Sequence, residues 1–124
     1  MKNLLLIFVG GGIGSALRYL MSGMVYRLTA LGFPYGTVVV NITGCFVIGF
    51  LMSALAARFD DSPALKVFLT IGVLGGFTTY SSFSYETIAL LQDAKVGAAM
   101  ANVGITLIGC LVGTWVGLGA GRMV

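Results

Sequence analysis

The chain has 124 residues, of which 58% are hydrophobic and 9% charged, with a net charge of +3 and no histidine. Soluble domains carry roughly 25% charged residues, so lipid must be the solvent for most of this chain. The composition argues against a nucleic-acid patch, because no basic cluster exists, and against His-based metal or triad chemistry. Its length fits one domain, residues 1–124.

A bilayer core asks for about 20 mostly apolar residues per helix, and four segments meet that demand. The first covers about 4–25 and is uncharged except for Arg18. Its start, Lys2 followed by an apolar run and "SAL", resembles a signal peptide. Cleavage is not expected, because the run outlasts the usual signal core and three more apolar segments follow. The second covers about 35–57, with no charge between Arg27 and Arg58. The third covers about 64–91, with Lys66 near its start and Glu86 late. The fourth covers about 96–120, uncharged between Lys95 and Arg122. Pro34 and Pro63 suit first helical turns. "DDSP", with Asp60 and Asp61, adds an N-cap and favourable negative charge before the third helix. The expected fold class is therefore an all-α integral membrane protein with four transmembrane helices. A β-barrel would need alternating strands of about 10 residues, and the long apolar runs exclude it.

Glycine recurs at 10, 11, 12 and 14, at 44 and 49, and at 104, 109, 113 and 117. In lipid, helices associate by close van der Waals packing, which small residues permit. A tightly packed bundle is expected. Cys45 and Cys110 read as small buried hydrophobes or as a disulfide or redox pair; their isolation gives no zinc spacing. With the N-terminus inside, Lys2, Arg58, Lys66 and Arg122 lie inside and Arg18, Arg27 and Lys95 outside, four against three. The positive-inside bias almost vanishes, so insertion both ways and antiparallel pairing of two copies are expected.

Polar groups at membrane depth need a reason, because unpartnered ones cost several kcal/mol. Asn41, in "VVVNITG", is either a brace between helices or a donor to an anion in a pore. Asn102, Thr106, Cys110 and Thr114 recur every four residues, forming a stripe that either lines an aqueous path or bonds neighbouring helices. Arg18 either snorkels to an interface or faces a polar vestibule that draws anions. The most informative stretch is "GGFTTYSSFSYE", residues 75–86. Gly75 and Gly76 weaken a helix, and Thr78, Thr79, Ser81, Ser82 and Ser84 compete for its backbone bonds. The third helix is expected to break around 75–80. Such a break frees carbonyls, which suit a cation, and amide hydrogens, which suit an anion. Phe77, Tyr80 and Phe83 follow at spacing three, and positive ring edges can meet an anion.

On these motifs ("GGGIGSALRY", "VVVNITGCF" and "GVLGGFTTYSSFSYET") the chain resembles the Fluc-type (CrcB) fluoride channels over essentially its whole length. The resemblance implies a dual-topology antiparallel homodimer in a bacterial inner membrane, with two fluoride pores and a central structural sodium ion. It implies backbone carbonyls of Gly75 and Thr78 as sodium ligands, Asn41 lining the pore, and aromatic rings at Tyr80 and Phe83 contacting fluoride. Arg18 would belong to a vestibule and Glu86 to a pore end. The hydroxyls of Thr79, Ser81, Ser84 and Thr106 are the further pore candidates from the residues themselves. The family's pattern has Phe where this chain has Tyr80. The added hydroxyl is expected to reduce flux while leaving selectivity intact.

A pore for fluoride must replace a tightly held water shell with compact donors that also let go. The rival reading is a small multidrug-type cation/proton antiporter, which needs an embedded carboxylate; Glu86 is the one candidate. A purely structural subunit would not need the polar break. An enzyme is not expected, since no nucleophile–base pair appears.

Overall fold

The computed structural model describes residues 1–29, 32–58 and 62–123. Helix α1 is Lys2–Leu28 and α2 is Tyr35–Arg58. The third span, Pro63–Gln92, is in two pieces. The first piece, α3, joins Pro63–Lys66, a π-helical stretch Val67–Leu74 and a last turn Gly75–Phe77. The second, α4, is Tyr80–Gln92, and α5 is Val96–Gly121. No strand occurs among the described residues, and four helical spans are long and apolar enough to cross a membrane. At 1.5 Å per residue, α1 and α5 reach about 40 Å, which crosses a hydrocarbon core of about 30 Å with tilt to spare.

Packing is inverted relative to a soluble protein. Phe8, Leu107, Ile108, Leu111 and Trp115 point outward, whereas Asn102 is fully buried. The apolar core is small: Val40, Leu74 and Phe77, with Met21, Val47, Ile48 and Leu51 against them. Helix α1 packs mainly on α3, and α2 mainly on α5. Both pairs rest on missing side chains. A Cβ at Gly14 would strike the backbone of Val73 and Phe77, and one at Gly76 the backbone of Gly11. On the other pair, a Cβ at Gly49 would strike Thr114 O and one at Gly117 would strike Phe46 O. Backbones at this separation gain dispersion energy along their whole contact.

The helix ends follow local chemistry. Pro63 stands in the first turn of α3 and Ser62 at its N-cap position without a side-chain cap bond; Asp60 and Asp61 lie outside the described residues. The Pro34 carbonyl accepts the Val38 N–H and starts α2. Helix α4 closes with paired bonds, Lys95 N to Leu90 O (2.9 Å) and Ala94 N to Leu91 O (3.0 Å), around Ala94 at φ 59°. This is a Schellman closure with alanine in the left-handed position that usually takes glycine.

The break in the third span falls within the expected 75–80 and is shorter than that range. Gly75–Phe77 and Tyr80–Phe83 are helical, and only Thr78 (ψ 155°) and Thr79 (φ −149°, ψ 107°) are extended. Glycine weakens a helix only by about 1 kcal/mol, and at Gly76 the close approach of α1 offsets it. The threonines break the helix because other partners take their polar groups. Thr78 Oγ1 donates back to Leu74 O at 3.0 Å, and Thr79 bonds outside its own helix.

Candidate functional site

Asn41 and Thr79 form the centre. The Thr79 N–H donates to Asn41 Oδ1 at 2.8 Å, and Asn41 Nδ2 donates to Thr79 O at 3.1 Å. One side-chain amide thus replaces both backbone partners that an unbroken helix would supply. Both residues are buried. The Thr79 hydroxyl then caps α4, accepting from Ser82 N at 3.2 Å and donating to Ser82 Oγ at 3.0 Å. It also lies 3.2 Å from Ser81 Oγ. Of the two readings open for Asn41, the brace is present, and the residue also faces a groove.

That groove has a volume of about 580 Å³ and is lined from α2, the two halves of the third span, and α5. It brings together Asn41, Gly75, Thr78, Thr79, Tyr80, Phe83 and Thr106. No charged side chain lines it among the described residues. The rings of Tyr80 and Phe83 are 5.5 Å apart, tilted by 48°. Tyr80 is 80% exposed, so its ring projects from the bundle. Gly75 is also exposed, and its carbonyl lacks the usual helical donor, because the Thr79 N–H turns to Asn41.

A second hydrogen-bonded chain runs along one wall. Thr106 Oγ1 donates to Asn102 Oδ1 (3.5 Å), Asn102 Nδ2 to Thr87 Oγ1 (2.9 Å), and Thr87 Oγ1 to Phe83 O (2.7 Å). The stripe on α5 bonds α4 at Asn102 and faces the groove at Thr106 and Cys110.

The remaining candidates lie apart. Ser81 is exposed and Ser84 half-buried, and neither lines the groove. Arg18 sits half-buried on α1, a helix that contributes nothing to the groove. Glu86 has its own setting. Its Oε1 accepts from Thr37 Oγ1 at 2.7 Å and from the Tyr26 hydroxyl at 3.4 Å, while Oε2 is buried without a partner. Thr37 and Tyr26 were not among the sequence candidates. A signal for Thr37 existed: Thr37, Asn41 and Cys45 recur every four residues on α2, matching the stripe on α5. Tyr26 carried none, because only folding brings α1 beside Glu86.

Comparison with known proteins gives one consistent result. Residues 5–118 match the family described as "CrcB-like protein, Camphor Resistance (CrcB)". The chain is 47% identical to the fluoride-specific ion channel FluC of Geobacter sulfurreducens, over the full length of both. It is 45% identical to the FluC of Geotalea daltonii, again over both full chains. It is 48% identical to the FluC of Geotalea uraniireducens, over 95% of each.

Proposed function

Because the chain belongs to the CrcB family, we infer that it is a fluoride-specific ion channel that lets fluoride leave the cell passively. The antiporter alternative finds no support among these relatives. It is a multi-pass membrane protein, and the bacterial inner membrane is its proposed site.

The observation that supports conduction is an uncharged, mainly apolar groove into which a few polar groups project. Fluoride is small and strongly hydrated, so a path must offer compact donors in series, none holding the ion as a full positive charge would. Asn41, Thr79 and Thr106 offer an amide and two hydroxyls there, and Tyr80 and Phe83 offer ring edges. In this reading Asn41 does two jobs, holding the break and leaving one amide hydrogen for the ion. The half-helix α4 begins beside the groove, and its N-terminal dipole favours an anion. Ser81 and Ser84 extend the path, Glu86 with Thr37 stands at one end, and Arg18 belongs to a vestibule.

The proposed assembly is an antiparallel homodimer. Irregular backbone at membrane depth is tolerated only when buried in protein or lining a cavity. Here Gly75 and Tyr80 are exposed beside the break, and a second copy would cover them. The near-even split of basic residues allows that copy to insert inverted. The carbonyls of Gly75 and Thr78 fit a sodium ion shared between the copies: both lie at the carbonyl end of α3, and Gly75 O has lost its helical donor. Bound there, the ion would neutralise two helix C-terminal ends and hold the copies together.

Two measurements test this. Purified protein in liposomes should release fluoride and retain chloride, and Tyr80→Phe should raise the fluoride rate without admitting chloride. Chloride release equal to fluoride release overturns the channel assignment; equal fluoride rates for the two proteins overturn the role given to the Tyr80 hydroxyl. Reporter fusions at the C-terminus should give signal from both sides of the membrane. Signal from one side alone removes the antiparallel pairing.

A further inference from the structure

Glu86 is held by one oxygen only. Its Oε1 accepts from Thr37 Oγ1 at 2.7 Å and from the Tyr26 hydroxyl at 3.4 Å, while Oε2 is buried and receives nothing. The two donors pull towards different helices. Thr37 stands on α2 one turn before Asn41, so a carboxylate hung from Thr37 alone lies beside the Asn41 end of the groove. Tyr26 stands on α1, which contributes nothing to the groove. Its bond therefore draws the carboxylate away from the path. The tyrosine has a prepared seat. A Cβ at Gly36 would come within 2.5 Å of ring atom Cε2 and 2.8 Å of Cζ, the carbon that bears the hydroxyl. The ring thus lies against bare backbone of α2 immediately before Thr37.

We propose that Tyr26 is a positioning residue for fluoride passage, acting through Glu86: its hydroxyl, with the ring seated on Gly36, keeps the carboxylate turned out of the end of the anion path. The role rests on the channel reading of the site. No charged side chain lines the groove among the described residues. A carboxylate is an acceptor only, and one turned into the groove end would oppose an entering anion, because like charges repel strongly outside bulk water. With Tyr26 in place, two bonds on Oε1 fix the direction of the carboxylate. Without the hydroxyl, the single bond to Thr37 remains and the carboxylate turns about it. Only the fraction of channels with the carboxylate turned away then admits fluoride, and apparent affinity falls with that fraction. A hydrogen bond to a charged group contributes enough to shift such a fraction about tenfold.

Initial rates of fluoride release from liposomes, measured over a range of internal fluoride concentrations, test this. Tyr26→Phe keeps the ring on Gly36 and removes only the hydroxyl. It should raise the half-saturating fluoride concentration about tenfold, with the effect in half-saturation and not in the maximal rate. Gly36→Ala keeps the hydroxyl but pushes the ring off its seat, and should shift half-saturation in the same direction. In a Glu86→Gln background no carboxylate remains to be steered, so adding Tyr26→Phe should change neither quantity. Unchanged half-saturation in Tyr26→Phe, a loss confined to the maximal rate, or the same shift in the Glu86→Gln background would each overturn the role. Should Glu86→Gln fail to fold or conduct, the split between the two kinetic quantities in Tyr26→Phe still decides. An unmodified chain that releases no fluoride overturns the channel reading and this role with it. A conducting chain indifferent to Tyr26→Phe overturns the positioning role alone.

Discussion

Asn41→Leu is expected to abolish fluoride flux and to lower thermal stability more than any other single change in the groove. Leucine nearly matches the volume, so the packing loss is minor. What disappears is the pair of bonds that Asn41 makes to Thr79 N and Thr79 O. Thr79 is buried. Leaving a buried backbone group unpaired costs about 1–3 kcal/mol, so two groups cost about 2–6 kcal/mol. Thr79→Val provides the comparison. It keeps both backbone bonds and removes the cap on Ser82 N together with the hydroxyl contacts to Ser81 and Ser82, the cap being worth about 1 kcal/mol. Asn41→Asp should fall between them, retaining an acceptor for Thr79 N but setting a carboxylate against Thr79 O and against the anion. Melting curves of detergent-solubilised protein should place Asn41→Leu lowest, Asn41→Asp next and Thr79→Val highest. An Asn41→Leu melting point at or above that of Thr79→Val would overturn the clamp.

The second large effect separates two glycines of one short run. Gly14→Ala should strongly destabilise the protein, while Gly12→Ala should be neutral or stabilising. Alanine is the better helix former by about 1 kcal/mol, so propensity alone favours both changes. At Gly12 a Cβ meets nothing within 4 Å, and propensity decides. At Gly14 it would strike Val73 O and come within 2.8 Å of Phe77 N. These are backbone atoms, and no rotamer change relieves them. Helix α1 must then move off α3, losing the contacts that Gly10 and Gly72 also make. Because Phe77 adjoins the break, the displacement also reaches Thr78 and Thr79. Expression of folded protein, read by gel filtration, should fall for Gly14→Ala alone. Equal yields and melting points for the two variants would show that this interface does not carry the bundle.

The Gly12 and Gly14 pair marks a limit of reading the chain. "GGGIG" announces a helix that some neighbour approaches closely, but it does not say which glycine is touched. That depends on the rotation of α1, and α1 is apolar on every side, so no amphipathic stripe sets the rotation. The break shows a related limit. Glycines and hydroxyl residues together raised the expectation, and of these only Thr78 and Thr79 carry the extension. The choice is made by Asn41, thirty-eight residues away. Glu86 is similar: its position late in the third span was plain, and its partners Thr37 and Tyr26 were not. By contrast, the hydroxyl-rich interruption itself stood out, because polar groups in an apolar run have so few explanations.

By itself the sequence determined that this is a four-span helical membrane protein with a polar interruption in its third span. Those features follow from local quantities: run length against bilayer thickness, the absence of charge, and the cost of unpaired polar groups in hydrocarbon. Its motifs determined the family as well. Tertiary structure alone decided where the third helix opens, which glycines are indispensable, and which hydroxyls share a groove. Each of these depends on a partner distant in sequence, as the side-chain amide of Asn41 takes the place of the helical partners of Thr79.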